Sequence, residues 1–108
     1  MEENFFEMEQ HLNNILEKLN ILSNNATTEL KYNSDTIEEI KNTIIEFKDI
    51  LQNNKNILLI KLEKVKRISN VVYDLNNDNL FSDLTDYISN ELYAFKFLLQ
   101  KKLNEKEK

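Results

Sequence analysis

His11 is the only histidine in this 108-residue chain, and there is no cysteine. Those two facts remove most side-chain chemistry at once. Nucleophilic catalysis needs a serine or cysteine beside a base, and no serine stands in a plausible relation to the one imidazole. A di-iron site in a helical bundle needs two Glu-x-x-His motifs, and the chain has none. The lack of Cys also excludes thiolate metal sites and disulfides. His11 itself falls at the edge of a regular apolar stripe and reads as a boundary residue.

The carboxylates give no better site. Glu38 and Glu39 are neighbours, and neighbours on a helix point apart; Asp83 and Asp86 lie near the start of another apolar pattern. Acids there suit the positive end of a helix dipole, so both pairs read as helix-start chemistry. The stretch DLNNDNLFSD, residues 74–83, is rich in oxygen ligands. It lacks the glycine and the twelfth-position Glu of an EF-hand loop. With no glycine anywhere, a phosphate-cradling loop is excluded. Lys61, Lys64, Lys66 and Arg67 form the one basic cluster, able to touch phosphates or an acidic polymer. It has no interleaved aromatics for stacking on bases, so a solvated face, or pairing with the acidic first helix, is the plainer reading. No catalytic, cofactor-binding or metal-binding residue is expected, and the chain is read as a non-enzyme.

The elements that carry these residues must be helices. The chain has no Gly and no Pro, the residues on which tight turns and sheet proteins depend. Its 41% apolar and 31% charged content suits surface-rich helices better than a thick core. Seventeen Asn, thirteen Lys, one Arg and two Ala point to an AT-rich genome. No 18-residue apolar window exists, so no membrane span is expected. MEENFFEMEQ lacks the basic and apolar regions of a cleaved signal peptide, which makes an intracellular, by default cytoplasmic, protein the expectation. Net charge is −5; residues 1–30 hold six acids against one Lys, whereas residues 55–77 come to +3. An acidic chain of this kind is an unlikely nucleic-acid binder.

Phe5, Met8, Leu12, Ile15, Leu19 and Leu22 are spaced by three and four in alternation, the a/d repeat of a coiled coil or bundle helix. This predicts a first helix over about residues 3–31. Asn33-Ser34 reads as a link, and Asp35 with Glu38, or Thr36 with Glu39, as a capping box. From Ile37, steps of seven reach Ile44, Leu51, Leu58, Val65 and Val72, all apolar. The matching d positions are Ile40, Phe47, Asn54, Lys61, Ile68 and Leu75. A loop has no reason to preserve heptad phase, so the spacing favours one helix over 35–75, about 60 Å long; a turn at residues 53–56 is the alternative. Asn54 and Lys61 either set register with a specific partner, or the seam rotates toward Ile50 and Ile57 and leaves both exposed. A third helix is predicted over 79–103, stepping mainly by four through Leu84, Ile88, Leu92, Phe95, Leu99 and Leu103. Residues 104–108 read as a disordered charged tail.

The expected fold is a single all-α domain over 1–103, an elongated antiparallel three-helix bundle or coiled-coil hairpin with a long central helix. All three helices would overlap near residues 50–65, where Ile57, Leu58, Leu59, Ile60 and Leu62 are apolar on nearly every side. Packing or partner contacts are assigned to the a/d set above, to Ile37, Ile40, Ile44, Phe47 and Leu51, and to this run. The function expected is that of a structural or adaptor subunit, pairing through coiled-coil helices with other proteins or with itself in a larger assembly. The alternative is a small acidic helical chaperone or regulator that binds a partner segment in a groove.

Overall fold

The computed structural model describes residues 5–25, 31–54, 56–76 and 82–106. Among them the chain is all-helical, with four α-helices and no strand. These are α1 (Phe6–Asn25), α2 (Lys31–Asp49), α3 (Leu62–Asn76) and α4 (Ser82–Lys106). A π-helical turn, Ile50–Asn54, extends α2, and a 3-10 turn, Ile57–Leu59, precedes α3.

The single helix expected over 35–75 is therefore two helices. Asn56 and Ile60 are extended, with φ/ψ of −119/96° and −88/108°, and neither can sit inside a helix. Size alone makes the same point, because the longest dimension over Cα atoms is 49 Å, too short for a helix of about 60 Å. The turn is held locally: the Asn56 side-chain carbonyl accepts the Leu58 N–H at 3.1 Å, and the Ile60 N–H donates to the Ile57 carbonyl at 3.0 Å. Nor does α2 begin at the Asp35 or Thr36 capping box. It begins at Lys31, so Asn33, Ser34 and Asp35 are helix interior and the box caps nothing. At the other end α4 continues through Lys106, which makes residues 104–106 helical instead of a tail. Residues 3–4, 26–30, 55 and 79–81 of the expected helices lie outside the described residues.

Each helix packs against two others, α1 on α2 and α4, α3 on α2 and α4, which closes a four-membered ring. Contacts fix the directions. His11 and Lys18 of α1, and Phe5 just before it, meet Glu91, Tyr87 and Lys102 of α4, numbers running opposite ways. Glu46 and Glu39 of α2 meet Lys64 and Arg67 of α3 in the same sense. Between α1 and α2 lie five residues, which can reach at most about 20 Å and cannot span back along a helix of about 30 Å. Neighbours are thus antiparallel, and the rod measures 49 × 22 × 18 Å.

Every helix turns one stripe to the axis of the ring. Buried there are Phe5, Met8, Leu12, Ile15, Leu19 and Leu22; Ile37, Ile40, Ile44, Phe47 and Leu51; Val65, Ile68 and Val72; and Ile88, Leu92, Phe95 and Leu99. Ile57 and Ile60 join them from the turn. Phe47 and Phe95 stack across the ring from opposite helices, centroids 5.8 Å apart with planes inclined by 24°. Thr85 is buried as well, so α4 follows the 3,4 rhythm from Thr85 to Leu99; Leu84 and Leu103 only flank it.

Candidate interaction surface

The core accounts for most residues assigned to packing, and the exceptions mark where the surface begins. Leu58 and Leu59 remain about half exposed, at 50% and 48%, and Leu62 is partly buried. The expected all-round greasy run is thus a two-sided turn, because a 3-10 turn has three residues per turn and sends Ile57 and Ile60 to one side. Lys61 is exposed in the break before α3; the Asn54 side chain lies outside the described residues.

The basic cluster pairs with α2, not with α1 as the charge pattern suggested. Lys64 Nζ lies 2.5 Å from Glu46 Oε2, and the Arg67 guanidinium donates to Glu39. Both pairs are solvent-exposed, and such pairs contribute about 0.2–1 kcal/mol each. Lys61 and Lys66 face solvent.

His11 has a partner that the sequence did not suggest. Its Nδ1 is 2.5 Å from Glu91 Oε2 across the α1–α4 seam; the carboxylate accepts, so Nδ1 carries the hydrogen. Tyr87 stands one turn before Glu91 on α4, and Lys18 Nζ lies 4.9 Å from the centre of its ring. The Tyr87 phenol is held above its ordinary value, first by loss of water around the ring and then by the Glu91 and Glu17 carboxylates. This row ties two helices together along one edge. Among the described residues no group of three or more His, Cys, Asp or Glu is placed to hold a metal ion.

Two surface depressions are small. One, of about 180 Å³, lies between the start of α1 and the end of α4 and is lined by Glu7, Met8, Leu98, Lys101, Lys102 and Glu105. That is below the range of about 300–1,000 Å³ for ligand pockets. The other, about 90 Å³, is formed on α4 by Tyr93, Lys96, Phe97 and Gln100. Tyr93 and Phe97 are 70% and 63% exposed. They stand four residues apart, so their side chains share a face, opposite the stripe that α4 buries. Solitary exposed apolar residues are ordinary; two aromatics side by side around a dent are a patch. The heptad reading passed over both because it collected residues on the apolar stripe. The signal available was what the stripe left behind, an i, i+4 aromatic pair off the seam.

No described helix is long and apolar enough to cross a membrane. Comparison with protein-family models, with curated proteins and with solved structures finds no match to this chain.

Proposed function

We propose that this chain is a non-enzymatic adaptor, which docks to protein as a ready-folded unit through the outward face of α4. The observation that carries the reading is the exposed Tyr93–Phe97 pair beside a core already closed by the chain's own helices. The two belong together. Helices whose apolar stripes find each other within one chain need no partner in order to fold. Docking then falls to the outer faces and not to the seams, as an obligate coiled-coil subunit would have it. Tyrosine and phenylalanine are favoured at protein interfaces because they bury large area with few rotors. Covering an aromatic or aliphatic side chain of this size contributes about 1.5–3 kcal/mol, so two of them anchor a modest interface. A nucleic-acid role is the weaker reading, since Lys64 and Arg67 are already engaged by Glu46 and Glu39.

The test places a photo-crosslinking amino acid at position 97 of α4 in living cells, and in a second strain at Asn70, an exposed position of α3. Discrete adducts at 97 and none at 70, with mass spectrometry naming the joined protein, are expected. Adducts equal at both positions, or none at 97, would remove the α4 face as the docking surface.

A further inference from the structure

The Tyr93–Phe97 pair stands at the edge of a seam, and contacts fix which one. Tyr87 and Glu91 meet Lys18 and His11, so they mark the α1 side of the stripe that α4 buries. Ser89, Tyr93, Lys96 and Gln100 fall on the other side of that stripe, towards α3. On α3, Lys64 and Arg67 mark the α2 side through their pairs with Glu46 and Glu39. Lys66, Ser69 and Tyr73 are then left towards α4. Heights agree as well: Phe47 stacks on Phe95 while its neighbour Glu46 reaches Lys64. Lys66 and Lys96 therefore stand within about 10 Å of each other along the rod.

The two lysines are the unused cations of this seam. Neither makes an ion pair among the described residues. The residues three and four places from Lys96 are Leu92, Tyr93, Leu99 and Gln100, none of them charged. Around Lys66 only Glu63 is charged, and it lies on the outermost line of α3 with Asn70 and Asp74. Lys101, by contrast, shares its depression with Glu7 and Glu105. In a chain of net charge −5, the α3–α4 seam thus sets two unpaired positive charges beside two exposed aromatic rings. An acidic chain repels a long polyanion, and two cations neutralise few phosphates. We infer, resting on the reading of α4 as the docking face, that the partner of this face is a short acidic protein segment with apolar side chains, lying along the α4 edge of the seam. Carboxylates of the segment meet Lys66 and Lys96, and its apolar side chains cover Tyr93 and Phe97. Asp86 bounds the site along α4, and Glu63 and Asp74 keep the segment off the outer line of α3.

The test is a selection of displayed random peptides on the purified full chain, followed by fluorescence anisotropy of the selected sequences. Sequences enriched in Asp or Glu beside Leu, Ile or Phe are expected. Their binding should weaken about tenfold in Lys66→Glu/Lys96→Glu, where two exposed attractions become repulsions, and should fall as salt is added. Lys48→Glu, on α2 across the ring from α4, should bind as the unaltered chain does. Circular dichroism melts matching the unaltered chain would show that both variants are folded. Selected peptides that are neutral or basic, acidic peptides indifferent to the double variant and to salt, or equal losses in Lys48→Glu would overturn the acidic segment. So would an oligouridylate that binds more tightly than any selected peptide. Phe97→Ala separates this from the wider reading: neutral apolar peptides that need Phe97 sink the acidic partner and leave the α4 docking face standing. No peptide selected and no adduct at position 97 would sink both.

Discussion

Helix α1 and the segment 50–62 are both rich in apolar residues and opposite in behaviour. Along α1 and the residue before it, Phe5 through Leu22, every position of the 3,4 rhythm is buried, and one face meets two neighbouring helices. In 50–62 the chain buries Leu51, Ile57 and Ile60, leaves Leu58 and Leu59 half exposed, and passes through a π turn, two extended residues and a 3-10 turn. The difference lies in what stands between the apolar residues. Along α1 the intervening positions are polar at regular intervals, so a single face can be buried throughout. Along 50–62 four apolar residues are consecutive, and no helix at the edge of a four-membered ring can bury them all. The chain resolves this by turning. It puts alternate parts of the run inside and lets the rest lie at the end of the rod. Consecutive greasy residues therefore mark a corner here, while periodic ones mark a wall.

The largest effect should come from the place where the walls meet. Phe95 is fully buried and stacked on Phe47. Phe95→Ala removes the ring and leaves a cavity, at a cost of about 3–5 kcal/mol against a total of about 5–15 kcal/mol for a domain of this kind. Urea unfolding is the measurement. A loss below about 1 kcal/mol would mean that the ring is not the middle of the core.

Next comes a direct contrast between wall and corner. Proline inside a helix costs about 3 kcal/mol or more, through a lost hydrogen bond and a clash with the preceding turn. Asn42→Pro, at an exposed position inside α2, should show that loss in thermal melts. Lys61→Pro should not, because Ile60 already holds the extended φ and ψ that a residue before proline adopts, and Lys61 stands just before α3 begins. Equal damage from the two substitutions would restore the continuous helix and remove the corner.

The walls were legible in the sequence because burial on one face leaves a period, and a period survives any doubt over partners. Residues Phe5 to Leu22 and Ile37 to Leu51 could be assigned to the core from spacing alone. The corner was misread for the same reason. Leu51, Leu58 and Val65 keep the heptad phase across it, yet Leu58 is half exposed. In a chain with 41% apolar residues such agreement arises by coincidence. The polar residues at Asn54 and Lys61 carried the true signal, since a continuous seam would have had to bury both. Thr85 was invisible because a hydroxyl in the core does not look apolar. The α4 surface escaped for the complementary reason: exposed aromatics contribute nothing to a stripe.

A smaller effect tests what holds the corner. Asn56 accepts the Leu58 N–H from a position just ahead of the 3-10 turn, as a helix cap does. Asn56→Ala should cost about 0.5–2 kcal/mol in urea unfolding, without changing the slope that reports exposed surface. Amide hydrogen exchange should quicken at Leu58 and Leu59 before it quickens in α2. If exchange rises equally throughout, the turn is held by Ile57 and Ile60 in the core and not by its cap.

The smallest effect concerns the ion pairs that join α2 to α3 beside the same corner. Arg67 and Glu39 are 64% and 42% exposed as side chains, so water screens them. A double-mutant cycle with Arg67→Ala and Glu39→Ala should return a coupling of about 0.2–1 kcal/mol, shrinking as salt shortens the Debye length to about 3 Å at 1 M. The Phe95→Ala loss should be unmoved by the same salt, because burial of a ring involves no charge. A coupling much larger than this would mean that α2 and α3 are clamped by charge, with the corner merely following. A coupling within the expected range leaves the burial of Ile57 and Ile60 as what brings α3 back along α2.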